Sequence, residues 1–180
     1  DVLTSRGLGD VYKRQAVAYM AAIRKGRELA TRSQWSMPKL LLSCVVVVGA
    51  IGVVVPDVTG LGLQQINQML DAQFGLGMLL VLLAGKIFVT AYCLNTGFFG
   101  GVFGPALFVG AATGAVVAQL AILVGLAPHL SYALPVAAIA AVGGAVIGAP
   151  LTSIMIIIEL TGSYAYGSVS YTHLTLPTIV

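Results

Sequence analysis

Long apolar runs alternate along the chain with short polar, proline-containing or glycine-rich breaks. One run, Lys39–Val55, is preceded by Pro38 and closed by Pro56, and two more lie on either side of a glycine-rich break. At ~1.5 Å per residue, a helix of this length crosses most of the ~30 Å hydrocarbon core of a bilayer. The pattern therefore predicts membrane helices at Lys39–Val55, Gly75–Leu94 and Pro105–Val124.

Shorter elements fill the rest of the chain. Ala16 to about Thr31 has the pattern of a helix end, and Leu63–Phe74 is too rich in Gln and Asn to face lipid, which predicts a short partial helix. Two more helices, Pro135–Ile147 and Leu151–Gly162, are predicted as a hairpin joined at residues 148–150. Each is about 18–20 Å long, too short to span the hydrocarbon core, and such broken helices are typical of transporters. The predicted fold is all-α, a polytopic membrane protein with broken and re-entrant helices.

The composition is that of a multi-pass integral membrane protein. Hydrophobic residues make up 58% of the chain and charged residues 8%, against about 25% charged residues in a typical soluble domain. This composition makes the lipid bilayer the expected partner. The chain also has a cluster of four basic residues, but a cluster this small beside membrane spans does not indicate nucleic-acid binding. By the positive-inside rule we place the cluster on the cytoplasmic side. Its members are Arg24, Lys25, Arg27 and Arg32.

The stretch Asn95–Ala111 contains the glycine-rich break and the start of the span that follows it. It reads NTGFFGGVFGPALFVGA and contains no charged residue. In lipid, every backbone group freed by such a break needs a partner, so it survives only inside protein or beside a polar cavity. Pro105 suits the first turn of a helix, which would bring the N–H groups of Val102, Phe103 and Gly104 to its positive end. Such an end favours an anion. The alternative is a re-entrant turn or a helix packing contact with no ligand.

The other ionisable side chains and the cysteines give little further indication of function. Lys86 is either a functional intramembrane charge or a side chain that extends to the membrane interface. Glu159 is either a proton relay or, as we favour, a structural residue. His129 has no second His, Asp or Glu near it in the sequence, so we expect a loop residue and no metal site. Cys44 and Cys93 have no partner motif and are expected to be buried free thiols. No paired catalytic groups occur, which argues against an enzyme.

Two separated motifs carry a resemblance to a known family. The run GGVFGPALFVGA, Gly100–Ala111, contains a G-x-F-x-P sequence, and the run GAPLTSIMIIIELTGSY, Gly148–Tyr164, contains A-P-L-T and E-L-T. In this order they resemble the third anion-binding sequence and the following helix pair of the CLC chloride channels and proton-coupled chloride antiporters. Lys86 matches a basic residue that the family commonly has before the anion loop. The resemblance covers about residues 16–164 and implies the second inverted repeat of the CLC fold, truncated.

The resemblance implies chloride as the transported ligand, with no other cofactor. In the family, the amides that correspond to Val102 and Phe103 face the anion, and the half-helix from Pro105 directs its positive end there. Without a fixed positive side chain, the anion binds weakly enough to leave again. The family also implies a homodimer, here through Leu151–Gly162, in a bacterial inner membrane. The anion-binding residues that we predict are Gly101, Val102, Phe103, Gly104 and Pro105.

The chain also departs from the family pattern. Phe98-Phe99 replaces a glycine- and serine-rich approach to the anion motif, and the serine-bearing and glutamate-bearing motifs of a first repeat do not occur. Tyr166 and Tyr171 do not stand in for the family's anion-coordinating tyrosine, because their surroundings do not match. We therefore expect a fragment that is inactive alone, and both channel and antiporter stay open for the parent protein.

The two ends of the chain differ in character from its middle. Residues 1–15 and 166–180 resemble translated adapter sequence from assembled metagenomic reads, so we expect the native, CLC-like region to be 16–165. Two alternatives stay open for that region: a broken-helix secondary transporter for another anion, or a structural membrane domain without a ligand. A full-length sequence lacking an upstream glutamate motif would favour the first, and stability indifferent to halide would favour the second.

Overall fold

The computed structural model describes residues 2–32, 35–98, 100–123, 125, 130–148, 152 and 155, and all regular secondary structure in these residues is helical. The predicted all-α class is confirmed. A 3₁₀ turn, Pro56–Val58, follows the second helix. The helices are α1 (Val2–Arg32), α2 (Met37–Val54), α3 (Leu63–Leu70), α4 (Leu76–Asn95), α5 (Phe103–Leu123) and α6 (Leu130–Ile147).

Helices α2, α4 and α5 are long and apolar enough to cross a membrane, with 18, 20 and 21 residues, which confirms the predicted spans. Pro38 lies in the first turn of α2, where its missing N–H costs no helical hydrogen bond. In an 18-residue stretch of each helix, 61% of the residues are buried in α5, 33% in α4 and 6% in α2. Helix α5 is therefore the interior of the described bundle, and α2 lies on its outside.

Helices α5 and α6 pack with their backbones in close approach. A Cβ built on Gly110 would lie 2.8 Å from both the Ala138 carbonyl oxygen and the Ile139 Cα of α6. One built on Gly114 would lie 2.7 Å from the Leu134 carbonyl oxygen. The small buried residues of α5 thus permit the close helix contact that the sequence predicts, and the structure adds that the partner is α6.

Helix α1 packs across α4 and α6. The four basic residues of the predicted cytoplasmic cluster are exposed on its C-terminal half. The Asn95 side-chain amide donates to the Ile23 carbonyl over 2.9 Å and joins α1 to the end of α4. The domain boundary predicted after residue 15 falls inside this continuous helix, and it stays a prediction.

The predicted start of α6 is wrong. The helix begins at Leu130, and Pro135 lies inside it. A proline in a helix interior costs about 3 kcal/mol, which is why the sequence favours a helix that starts there. Pro135 instead packs against Gly114 of α5, and this tertiary contact outweighs the local preference. With 18 residues, α6 is about 27 Å long and not the short half of a hairpin.

Two other boundaries move less. Helix α5 begins at Phe103, two residues before the predicted start, and Pro105 stays in its first turn. The short helix predicted from Leu63 is confirmed, although it ends at Leu70. Of the predicted helix Leu151–Gly162, only residues 152 and 155 are described.

Candidate anion-binding site

The glycine-rich loop leaves α4 through a tight turn. The N–H groups of Thr96 and Phe98 donate to the carbonyls of Tyr92 and Cys93 over 3.1 and 3.3 Å, and these bonds end the helix. Gly97 lies between them with a φ of +98°. Only glycine adopts this backbone region without steric cost, so the turn depends on the absence of a side chain.

The predicted site residues come together at the start of α5, whose first turn is Phe103, Gly104 and Pro105. The first hydrogen bond of the helix runs from the Ala106 N–H to the Val102 carbonyl over 3.1 Å. The N–H groups of Val102, Phe103 and Gly104 do not donate to a backbone carbonyl of another described residue, because donors ahead of the first helical bond have no intrahelical acceptor. These N–H groups lie at the positive end of the helix dipole.

Gly100 and Gly101 leave the backbone before this helix end uncovered. Both residues are exposed, and a Cβ built on either would meet no atom within 4 Å. Neither has a positive φ. Neither packing nor backbone conformation therefore requires glycine at these positions, and the absence of side chains leaves space for a small ligand beside the peptide groups.

A tyrosine outside every sequence motif lies against this loop. Tyr19 of α1 is 0% exposed, and its hydroxyl donates to the Val102 carbonyl over 3.3 Å. The side chain of Thr90 in α4 lies next to the Tyr19 hydroxyl. Ala16, Tyr19 and Ile23 follow the spacing of one helix face. That spacing predicts burial of Tyr19 and gives no sign of its contact with the loop.

Lys86 does not extend to a membrane interface, since its side chain is only 2% exposed. The Nζ atom donates to the carbonyls of Val58 and Gly60 over 3.0 and 2.6 Å. It also lies 4.7 Å from the centre of the Phe108 ring, within the range of attraction between a cation and an aromatic face. The interface interpretation of Lys86 is therefore wrong, and the side chain holds the segment after the 3₁₀ turn against α4 and α5.

The other candidate groups form no metal cluster in the part of the chain that the structure describes, where no three His, Cys, Asp or Glu side chains come together. Both cysteines are free, with Cys44 buried and Cys93 half-buried. Their Sγ atoms lie 3.6 Å apart between α2 and α4, a contact that the sequence does not indicate. Four other residues weighed from the sequence lie outside the described ranges: His129, Glu159, Tyr166 and Tyr171.

The sequence profile of a family described as voltage gated chloride channel matches residues 8–172. The chain belongs to this family. The match includes the glycine-rich loop and all three apolar spans, and it confirms the CLC resemblance carried by Gly100–Ala111 and Gly148–Tyr164. It also extends beyond residues 16–165 on both sides.

Three relatives in the CLC family are bacterial proteins named as chloride exchangers or channels. The chain is 35% identical over 129 residues to the H(+)/Cl(-) exchange transporter ClcA of Vibrio cholerae serotype O1 (strain M66-2), a match that covers 70% of this chain and 25% of the relative. It is 35% identical over 167 residues to a ClcB-like chloride channel protein of Ralstonia nicotianae, and this match covers 91% of this chain and 38% of the relative. It is 31% identical over 127 residues to ClcA of Vibrio vulnificus (strain YJ016), and this match covers 70% of this chain and 26% of the relative. The chain therefore spans between 25% and 38% of the length of these relatives.

Proposed function

We propose that the chain forms an anion-binding part of a protein that moves chloride across a bacterial inner membrane, as a channel or as a proton-coupled antiporter. The observation that carries the proposal is the start of α5, where the N–H groups of Val102, Phe103 and Gly104 have no acceptor among the described backbone carbonyls. Membership of the CLC family supports chloride as the ion. The names of the relatives include both an exchange transporter and a channel protein.

Backbone dipoles hold the anion in this proposal. Chloride near Val102 and Phe103 accepts their N–H groups at the positive end of α5. No charged residue lies between Asn95 and Ala111, so the loop supplies no full ionic partner. Fixed dipoles then replace part of the hydration shell without holding the ion permanently, and conduction needs this balance.

Helix α5 suits this role because it is fixed in the bundle. In an 18-residue stretch of α5, 61% of the residues are buried. This burial and the backbone contacts with α6 at Gly110 and Gly114 leave the body of the helix little freedom to move. Donors held in place need no reorganisation when the anion arrives, and an environment with little water strengthens their field.

The rest of the transport machinery lies outside the described residues. We propose that the full-length protein is a homodimer with an interface that includes Leu151–Gly162, with a separate anion path in each subunit. Transport needs no enzymatic step and no further cofactor. Because the chain spans 25–38% of the length of the three relatives described above, we assign transport to the full-length protein and expect none from this chain alone.

Anion flux from liposomes tests the proposal on the full-length protein that contains this chain. Chloride efflux is followed with and without an imposed pH gradient. Chloride flux that drives proton movement establishes an antiporter, and chloride flux indifferent to the gradient establishes a channel. A folded, reconstituted protein that moves no halide contradicts the proposal.

A pair of substitutions at Val102 tests the site itself. Val102→Pro removes one proposed donor N–H, whereas Val102→Ala keeps that N–H and shortens only the side chain. A hydrogen bond to a charged group contributes about 1.5–3 kcal/mol, so we expect the proline variant to bind chloride about 10- to 100-fold more weakly. The alanine variant is expected to stay within about 2-fold of wild type, as measured by titration calorimetry. Wild-type affinity in a folded Val102→Pro protein would show that this amide does not bind the anion.

A further inference from the structure

The Val102 carbonyl and the Phe103 N–H belong to the same peptide group. In a planar trans peptide, these two bonds point in opposite directions. Whatever fixes the direction of the Val102 carbonyl therefore also fixes the direction of the Phe103 N–H, which is one of the proposed chloride donors.

Two donors from different helices hold this carbonyl. The Ala106 N–H donates over 3.1 Å from within α5, and the Tyr19 hydroxyl donates over 3.3 Å from α1. The ends of helices fray, because their first residues lack the full set of helical hydrogen bonds. A second donor from outside α5 limits the rocking of the 102–103 peptide group at the point where the helix itself constrains it least.

The Tyr19 side chain is well placed to act as a fixed donor. It is 0% exposed and packs in one buried cluster with Ala106 and Val109 of α5 and Val142 of α6. The Thr90 side chain of α4 lies next to its hydroxyl, and Leu83 and Ile87 of α4 pack against the same cluster. The ring and the hydroxyl are therefore held by three helices other than α1.

We propose that Tyr19 is a positioning residue of the anion site, which holds the Val102 carbonyl and so directs the Phe103 N–H at the bound chloride. This inference rests on the proposed function of the loop. Tyr19 does not touch the anion in this arrangement. It raises affinity by preorganisation, since a donor that is already oriented loses less freedom when the ligand binds.

The substitution Tyr19→Phe removes the hydroxyl and keeps the buried ring. The Val102 carbonyl still accepts the Ala106 N–H, so no backbone acceptor is left without a partner. In the full-length protein without halide, we expect at most the small fall in melting temperature that follows from the loss of one neutral hydrogen bond. From the net contribution of one neutral hydrogen bond, we expect the chloride Kd to rise about three- to ten-fold. Thermal unfolding and titration calorimetry measure the two quantities.

Tyr92→Phe is the matched control. It removes the same atom from a tyrosine of α4 whose hydroxyl donates to Ser43 of α2 over 3.1 Å, and we expect a wild-type Kd for chloride. Wild-type affinity in Tyr19→Phe would overturn the proposed role of Tyr19, as would an equal loss in both variants. If the wild-type protein itself binds no chloride, the proposed function of the loop fails, and that result is distinct from failure of the positioning role.

Thr90→Val covers the case in which Tyr19→Phe does not fold. It keeps Tyr19, replaces the polar neighbour of its hydroxyl with an apolar group of similar volume, and is expected to raise the Kd about two- to three-fold. The ¹⁵N chemical shift of the Phe103 amide during chloride titration reports on the donor directly. We expect a smaller chloride-induced shift than in wild type, and an unchanged Kd together with an unchanged Phe103 response would overturn the inference.

Discussion

Lys86 lies among apolar side chains and donates to two carbonyls that belong to no α-helix, those of Val58 and Gly60. Burial of a charge is costly unless partners replace the lost water, and buried carbonyls need donors for the same reason. The lysine satisfies both needs, and the face of the Phe108 ring contributes a further attraction. Lys86 therefore has a structural role, because it holds the segment that connects α2 to α3, and its role as a functional intramembrane charge stays a prediction.

Replacement of this lysine tests that role. Lys86→Met keeps most of the side-chain volume but leaves the Val58 carbonyl without its donor. We expect a loss of about 1–3 kcal/mol in the free energy of unfolding, measured by reversible unfolding in mixed detergent micelles. The control is Lys39→Met on the exposed side of α2, which is expected to stay within about 0.5 kcal/mol of wild type. Equal stability of the two variants would contradict the structural role of Lys86.

For single residues, the sequence indicates which positions are unusual, but it does not indicate which distant residues they contact. The glycine loop and the first turn of α5 follow from a local motif, so their position in the chain could be predicted, while anion binding by residues 101–105 stays a prediction. The partners of Lys86 are 26 and 28 residues away in the chain. Tyr19 meets Val102 across 83 residues. Such contacts depend on how the helices pack, and no local pattern in the chain encodes them.

At the scale of helices, the contact between α5 and α6 positions the candidate site. Gly110 and Gly114 are one turn apart on the same face of α5, and each allows the backbone of α6 to approach directly. Because dispersion attraction and close packing drive helix association in lipid, this contact is a main source of rigidity for the helix that carries the proposed anion donors.

A methyl group at this contact forces the two helices apart. Gly110→Ala places a Cβ 2.8 Å from two backbone atoms of α6, which cannot move without shifting the whole helix. We expect a loss of about 1–3 kcal/mol in the free energy of unfolding. The control is Gly49→Ala in the middle of α2, where a Cβ meets nothing within 4 Å. That variant should be neutral or up to about 1 kcal/mol more stable, and a similar loss in both would show that steric contact is not the cause.

Hydrophobic periodicity and length predict the helices themselves well. The three spans lie within two residues of their predicted starts, because an apolar run of this length has few other stable structures in a membrane. Hydrophobic periodicity and length do not predict the start of α6. The local cost of a proline inside a helix favours a helix that starts at Pro135. The packing of Pro135 on Gly114 instead favours a helix that continues through it.

At the scale of the whole molecule, the charges mark one side. The basic residues Arg24, Lys25, Arg27 and Arg32 lie exposed on the C-terminal half of α1, whereas the span of α5 carries no charge. By the positive-inside rule, we expect the exposed end of α1 to lie on the cytoplasmic side. The same assignment fixes the direction in which α2 enters the membrane, since only a short segment separates the two helices.

Labelling of a single introduced thiol tests this orientation. Every native cysteine of the full-length protein, Cys44 and Cys93 among them, is replaced by Ala, and Lys25→Cys is then introduced. We expect a membrane-impermeant maleimide to label this thiol in inside-out vesicles and not in intact cells. Labelling after addition of detergent serves as the control for reactivity. Reaction in intact cells would reverse the assigned topology.

The contrast in burial between α2 and α5 also has an evolutionary consequence. Along α2, where 6% of the residues are buried within the described part of the chain, exchange of one apolar residue for another disturbs few contacts with the other described helices, so this helix is freer to change in sequence. Along α5, where 61% are buried, a newly added methyl group meets another backbone. Sequences that descend from a common ancestor of this protein should therefore diverge fastest in α2 and retain small residues at the positions of Gly110 and Gly114.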